Sequence, residues 1–200
     1  MTRIVQSALI LSMLLVILIS NVLVQYPVRI WGLENILTWA AFTYPIAFLI
    51  TDITNKIYDP KRAKIVVYWG FFFAVILSIY FSSPRIAFAS GTAFIVSQLI
   101  DINIFTHLKK LRWWKAPLIS SSIGSLIDTL LFFSLAFSLS FSFLGMSDGF
   151  FTEKIGLFNS DTIFISRWIF LGLGDLCIKL LVTIILLVPY RVLYLRLLNH

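Results

Sequence analysis

The chain has 200 residues, 60% of them hydrophobic and 12% charged, with a formal net charge of +7 and a mean hydropathy of +0.96. Soluble domains carry about 25% charged residues, so this composition excludes a single water-soluble core and turns most apolar side chains toward lipid. A bilayer core about 30 Å thick takes roughly 20 apolar residues per helix, which allows six spans and leaves no room for a second soluble domain.

Six apolar segments follow one another at 4–25, 35–52, 64–82, 86–106, 117–141 and 163–189. They predict an all-α bundle of six transmembrane helices forming one integral membrane domain over residues 1–200. The first segment, most apolar from Ala8 to Val24, is too long for the apolar part of a signal peptide and no small-residue cleavage site follows it, so it reads as a retained helix. Tyr26-Pro27 ends it. Tyr58 to Arg62, Ser82-Ser83-Pro84-Arg85, the basic run Lys109 to Lys115 before Pro117, and a long loop around Asp148, Glu153 and Asp161 mark the later breaks. The single cysteine, Cys177, lies in an apolar run, which rules out an intramolecular disulfide and a paired-thiolate metal site.

The positive charges set the expected orientation, because the side that keeps most Lys and Arg is normally cytoplasmic. Arg3, Lys56, Lys61, Arg62, Lys64, Lys109, Lys110, Arg112, Lys115, Arg191 and Arg196 fall on one side, against Arg29, Arg85, Lys154 and Arg167 on the other. Every second loop is basic, which predicts both termini in the cytoplasm. The same alternation argues against a nucleic-acid partner, since the charge is divided among loops and forms no basic face on a folded domain. Tryptophans 39, 69, 113, 114 and 168 sit near segment ends or one turn inside them, at headgroup depth.

The informative residues are those that interrupt the apolar pattern: Asp52, Asp101, Asp128, Asp175 and Lys179, with the amides Asn21, Gln25, Asn55, Gln98 and Asn103. An ionised side chain at a helix centre costs on the order of 2.5–3.5 kcal/mol, against a gain of roughly 0.3–0.6 kcal/mol per Leu, Ile or Phe. Such groups must be paired or face a polar cavity. Helical spacing puts Asn21 with Gln25, Asp52 with Asn55, Ser97 and Gln98 with Asp101, and Ser121 and Ser125 with Asp128 on shared or adjoining faces. Asp175 and Lys179 are also one turn apart, a spacing that suits a self-neutralising ion pair as well as a ligand site. For Asp52 the plain alternative is a solvated helix end near Lys56, and for Asp101 and Asp128 it is hydrogen bonding between helices. One lysine does not balance four carboxylates. A cavity of carboxylates, amides and aromatics suits a flat polar solute rich in hydrogen-bond donors, such as a guanine-like base, with Phe42, Tyr44 or Phe48 stacking on its ring. Ser97–Asp101 also echoes Gly124–Asp128, and carboxylates in segments two and five fit an inverted three-plus-three repeat.

Several stretches in order resemble one family over nearly the full length. They are Ser20 to Gln25 with Pro27-Val28; Thr38 to Phe42 through Pro45 to Thr51-Asp52; Gln98 to Asp101 with Phe105; Trp113-Trp114 through Ala116-Pro117; Asp128-Thr129; and Asp175 to Lys179. The family is that of the bacterial queuosine-precursor transporters, also described as vitamin uptake transporters. The resemblance implies a multi-pass protein of the bacterial inner membrane that imports 7-cyano-7-deazaguanine or 7-aminomethyl-7-deazaguanine for queuosine salvage. Carried onto this chain, it implies a deazaguanine site among Asn21, Gln25, Phe42, Asp52, Gln98, Asp101, Asp128, Asp175 and Lys179. The side-chain chemistry, and not the resemblance, gives the expected roles: one or more of Asp101, Asp128 and Asp175 accepts from the base edge, and Gln98 or Lys179 donates to its carbonyl. Gly174 departs from the bulkier residue expected before Asp175.

Two modes of transport stay open: a self-sufficient secondary transporter with an intramembrane Asp coupling protons, and a substrate-capture subunit energised by a separate ATPase. No nucleotide-binding motif is present in this chain. Homo-oligomerisation also stays open, and no cofactor or metal is expected. An enzyme is disfavoured, because the two histidines are His107 and His200 and neither H-E-x-x-H nor G-x-S-x-G occurs. The remaining enzymatic reading is an aspartyl dyad built from two buried carboxylates. Two carboxyl groups within hydrogen-bond distance would favour that dyad, and dispersed carboxylates around a central cavity would favour transport.

Overall fold

The computed structural model describes residues 2–30, 33, 37–144, 149–156 and 164–198. Asp148, Asp161, His200, the first two residues of the second predicted span and the first residue of the sixth lie outside them. The helices in order are α1 (Thr2–Leu23), α2 (Ala40–Thr43), α3 (Pro45–Ile57), α4 (Pro60–Phe81), α5 (Pro84–Leu108), α6 (Lys115–Phe137), α7 (Gly149–Thr152) and α8 (Arg167–Leu198). A 3-10 segment, Leu139–Leu144, follows α6, and a short antiparallel pair, β1 (Lys154–Gly156) with β2 (Phe164–Ser166), precedes α8. Helices α1, α4, α5, α6 and α8 are long and apolar enough to cross a membrane. The protein is a helical membrane bundle, and side chains such as Leu11, Leu15, Ile79, Leu130 and Ile185 form its exposed apolar jacket.

Proline and a capping side chain start two of these helices. Asp59 accepts from the Arg62 amide at 2.8 Å ahead of Pro60, and Ser83 accepts from the Ile86 amide at 3.3 Å ahead of Pro84. Each cap satisfies an amide that the first helical turn leaves without a partner, and each proline needs no such bond.

The second predicted span takes a different form. It is broken into α2 and α3 at Tyr44, and it ends at Ile57, beyond the expected residue 52. Pro45 causes the break, because it brings no amide proton to the carbonyl of Ala41. The later ending has its cause in packing. Helix α3 touches α1, α4, α5, α6 and α8, so Thr51, Asp52, Thr54 and Asn55 are buried against protein and their polarity does not end the helix where hydropathy falls. The sixth predicted span, 163–189, starts later as α8 and runs through Pro189 to Leu198, as membrane helices tolerate proline when neighbours satisfy the freed backbone. The fifth stops at Phe137, short of residue 141, where Ser138 turns to an extended conformation.

Close approach around α3 depends on small residues, the usual device where no hydrophobic force separates helix from lipid. A Cβ on Gly124 of α6 would stand 2.7 Å from Phe48 Cε1 of α3. One on Gly70 of α4 would stand 2.9 Å from both Ile17 Cδ1 and Met13 Cγ of α1. The core beside these contacts is Met13, Ile17, Ala47, Ile50, Val66, Val67, Phe94 and Ile102.

Basic residues gather at one end of the bundle. Arg62 reaches Gln6 of α1 at 3.4 Å, and Lys56 donates to the Lys109 carbonyl at 3.3 Å and lies 5.1 Å from the Tyr194 ring centre. Arg191 lies 5.0 Å from the ring centre of Trp113. The start of α1, the α3–α4 turn, the α5–α6 turn and the end of α8 therefore share that end. Arg85 is an exception to the picture of charges lying in loops. It is 4% exposed and donates to the carbonyls of Leu135 at 2.9 Å and Ser138 at 2.6 Å, closing the C-terminal end of α6.

Candidate functional site

A cavity of about 540 Å³ opens within the bundle, in the size range of small-molecule sites. Gln25, Phe81, Ser82 and Phe151 line it at the end opposite the basic residues, and Tyr44, Asp128, Asp175 and Lys179 line it in the interior. Ala40 and Ala41 of the broken segment are also on its wall, so the carbonyl that Pro45 leaves without its i+4 partner belongs to a wall residue. Discontinuous helices at a solute site follow the same logic in transporters generally.

The polar floor is an ion cluster spanning α6 and α8. Lys179 Nζ lies 2.8 Å from Asp128 Oδ2 and pairs with Asp175 one turn before it on α8. It also donates to Thr129 Oγ1 at 3.3 Å, while that hydroxyl donates to Asp175 Oδ2 at 2.9 Å. An ammonium has three N–H donors, and these three contacts engage all of them. The Tyr44 ring completes the shell, its centre 5.4 Å from Nζ. Asp128 receives Ser97 Oγ of α5 at 3.4 Å on its other oxygen. Asp175 is the most accessible of the three charged groups, with 17% side-chain exposure against 5% for Asp128 and 6% for Lys179.

Above this floor, Asn21 donates to the Ile17 carbonyl at 3.0 Å and accepts from Ser78 Oγ at 3.1 Å. Gln25 lies one turn further along the chain at the wall. Phe132, Phe133 and Phe137 form the apolar side, with Phe132 edge-on to Phe133 at a centre separation of 5.2 Å.

A second polar cluster lies below the floor, between α3, α5 and α6. Ser120 Oγ donates to Asp52 Oδ1 at 3.3 Å and Ser121 Oγ to Asp52 Oδ2 at 3.1 Å. Asp101 is buried on the same α3–α5 seam, where Thr51 bonds Gln98 and Asn55 bonds the Ile102 carbonyl on either side of the two acids. Asp101 is wholly buried, and among the described residues neither of its oxygens meets a donor in good geometry. Gln98 accepts from Thr51 Oγ1 at 2.7 Å through its carbonyl, and its buried amide nitrogen has no partner among the described residues.

The structure thus divides the sequence-derived residues. Asn21, Gln25, Asp128, Asp175 and Lys179 line one cavity; Asp52, Gln98 and Asp101 are packed beneath it. Phe42 is packed with Val28, Leu37, Ala41 and Ile178, with its ring centre 5.6 Å from that of Trp39. Sequence reasoning assigned no role to Thr129, which bridges Asp175 and Lys179, or to Ser78 and Ser90 on the wall. Thr129 has a visible signal in its place beside an intramembrane Asp; the two serines have none apart from the chance of facing inward.

Comparison with known proteins points in one direction. A family model described as "Putative vitamin uptake transporter" matches residues 38–83 and 78–194. A protein of Escherichia coli K12 named "Queuosine precursor transporter" is 33% identical over 197 residues, covering 88% of this chain and 80% of the relative. One of Haemophilus influenzae named "Probable queuosine precursor transporter" is 34% identical over 173 residues, covering 76% of this chain and 66% of the relative. A Bacillus subtilis protein of the same description is 25% identical over 145 residues, covering 58% and 62%. No solved structure matches.

Proposed function

This chain belongs to the vitamin uptake transporter family, and on that premise we propose that it imports queuosine precursors, 7-cyano-7-deazaguanine or 7-aminomethyl-7-deazaguanine, across the bacterial inner membrane for queuosine salvage. The observation that carries this reading is the cavity of about 540 Å³ that ends on Asp128, Asp175 and Lys179 inside the bundle. Charged groups at that depth are costly unless they pair or face a polar cavity; these three do both, and the volume accommodates a bicyclic base.

The roles follow from which groups have capacity left. Lys179 is occupied by its protein partners, so it holds Asp128 and Asp175 in place and keeps the floor partly neutralised. Asp175 accepts from the ring N–H and exocyclic amine of the base, as the most accessible acceptor of the cluster. Asn21 and Gln25 reach the opposite polar edge, and Tyr44 with Phe132 and Phe133 supplies the flat apolar faces. Helices α2 and α3 together act as the sixth crossing, the basic end is cytoplasmic, and the cavity faces outward in this conformation.

The neighbouring carboxyls of Asp52 and Asp101 favour an aspartyl enzyme on proximity alone. Their burial argues against it. Asp101 is 0% and Asp52 1% exposed, and the crevice beside Asp52 has a volume of about 10 Å³, room for about one water and no substrate backbone.

The test is growth of a strain unable to make queuosine on limiting precursor, scored by queuosine in its transfer RNA. Expression of this chain is expected to restore queuosine, and Asp175→Asn, inserted to the same level, is expected to leave it absent. Equal queuosine with and without the chain would refute importation.

A further inference from the structure

Below the cavity floor, α3, α5 and α6 enclose a set of polar atoms that the substrate reading does not use. Asp52 and Asp101 are both buried at the seam of α3 and α5, beside the Thr51–Gln98 and Asn55–Ile102 bonds that join those helices, and each feels the other's charge. Ser120 and Ser121 lie close to both acids, and their hydrogen bonds of good geometry go to Asp52. Asp101, wholly buried, receives no hydrogen bond of good geometry on either oxygen among the described residues. Unpaired buried acceptors are rare and costly, and a second carboxyl beside them makes the deficit larger. One added proton changes this arithmetic: it turns one carboxyl into a donor, and the pair closes on itself. We propose that Asp52 and Asp101 together form a proton site that couples proton entry to uptake of the solute bound in the cavity above. This inference rests on the import reading.

The surroundings favour a proton over a metal cation. Sodium sites in transporters draw on backbone carbonyls freed where helices unwind, whereas α3, α5 and α6 are continuous helix around Asp52, Asp101 and Ser121. The break at Tyr44 is about two turns away from Asp52. Among the described residues, no salt bridge reaches either carboxyl. Helix α4 contributes Ala63, Val66 and Val67 to the packing and α1 contributes Met13 and Ile17. From α8 the titratable group is Tyr190, and Lys56 of α3 turns to the Lys109 carbonyl and the Tyr194 ring. Gln98 and Thr51 are neutral.

A route between the two clusters runs along one stripe of α6. Asp128, Ser125 and Ser121 recur at three- and four-residue spacing on one face, so the pair lies about 10 Å below the cavity floor by helical rise. Ser97 Oγ touches Asp128 Oδ1 at 3.4 Å, and Ser125 Oγ is buried without a partner among the described residues. A hydronium arriving through the open cavity gives its proton to a carboxylate of the pair and leaves as water. The carboxylic acid loses the proton to the other side once the bundle has reversed its opening, and one proton crosses per solute molecule.

The test uses the purified chain in phospholipid liposomes with labelled 7-cyano-7-deazaguanine, which carries no ionisable amine, and with the membrane potential clamped near zero. An inward gradient of one pH unit is expected to give about tenfold accumulation, abolished by a protonophore. Asp101→Asn and Asp52→Asn are expected to exchange internal for external substrate and to reach equal concentrations without accumulation, and Asp101→Glu to recover accumulation. Wild-type accumulation that follows a sodium gradient, or that ignores both gradients, overturns the proposal. So does tenfold accumulation by both Asn variants, or loss of exchange along with accumulation in both, which would place the pair in the solute site or in the fold itself. Wild-type protein that neither exchanges nor accumulates refutes importation, and with it this inference.

Discussion

Replacing Lys179 by methionine tests how the cavity floor is held together. The ammonium sits between two carboxylates with 5% and 17% side-chain exposure, at 2.8 Å from the first. Methionine keeps most of the aliphatic length and removes the charge, leaving Asp128 and Asp175 facing each other across α6 and α8 with the hydroxyls of Thr129 and Ser97 and the Tyr44 ring beside them. Removing one partner of a buried pair costs about 3–5 kcal/mol. The partial exposure of Asp175 puts the expected value at the lower end, about 3 kcal/mol. In a chain of this length that lowers the melting temperature by about 6–12 °C. Adding Asp128→Asn removes the more deeply buried of the two stranded charges, so the double variant should recover about 2 kcal/mol relative to the sum of the single changes. The assay is the apparent melting temperature in detergent at one fixed scan rate, since unfolding of such a protein is governed by rate. A Lys179→Met protein melting within about 2 °C of wild type, or strictly additive effects in the double variant, would refute the ion cluster.

Other consequences follow from specific contacts. Gly124→Ala sets a methyl 2.7 Å from Phe48 Cε1, whose ring is wholly buried. It should cost about 1–3 kcal/mol of stability by overpacking, read as a lower melting temperature, whereas Gly149→Ala meets open space and should leave melting unchanged. Arg85→Leu removes two charge-assisted bonds to the last carbonyls of α6 and should destabilise by about 2–4 kcal/mol. Lysine there should rescue only part of the loss, because it lacks the forked donors. Tyr44→Leu removes the ring over Lys179 and its edge contact with Phe94 at 6.3 Å, for a loss of about 1–2 kcal/mol and weaker precursor binding; Tyr44→Phe should behave close to wild type in thermal stability.

How much of this was legible in the sequence depends on the distance along the chain over which each feature acts. The Asp175–Lys179 pair lies one turn apart on one helix, and simple spacing predicts it. The helical membrane class follows from composition, and the gathering of Lys56, Arg62, Lys109 and Arg191 at one end follows from alternating basic loops. The third charge of the floor, Asp128, is 51 residues from Lys179, and its arrival depends on how α6 faces α8. No local pattern encodes that register. The same holds for Asp52 and Asp101, which appear in the sequence as separate intramembrane acids and meet only because α3 is inserted among five other helices. That insertion explains why hydropathy ends the second span at residue 52 while the helix ends at Ile57: hydropathy reads exposure to lipid, and α3 packs against five helices. Arg85 was legible as a loop charge and misread as one, since its partners are carbonyls 50 and 53 residues away.

Importation as proposed requires that the cavity ending on Asp128, Asp175 and Lys179 hold a queuosine precursor. Its most direct test is calorimetric titration of the purified protein in detergent with 7-aminomethyl-7-deazaguanine and 7-cyano-7-deazaguanine, beside Asp175→Asn verified to melt cooperatively. The wild type is expected to bind at least one precursor saturably, and Asp175→Asn to lose at least about tenfold in affinity, about 1.4 kcal/mol. Absence of binding to either compound, or equal affinity in the variant, would contradict it.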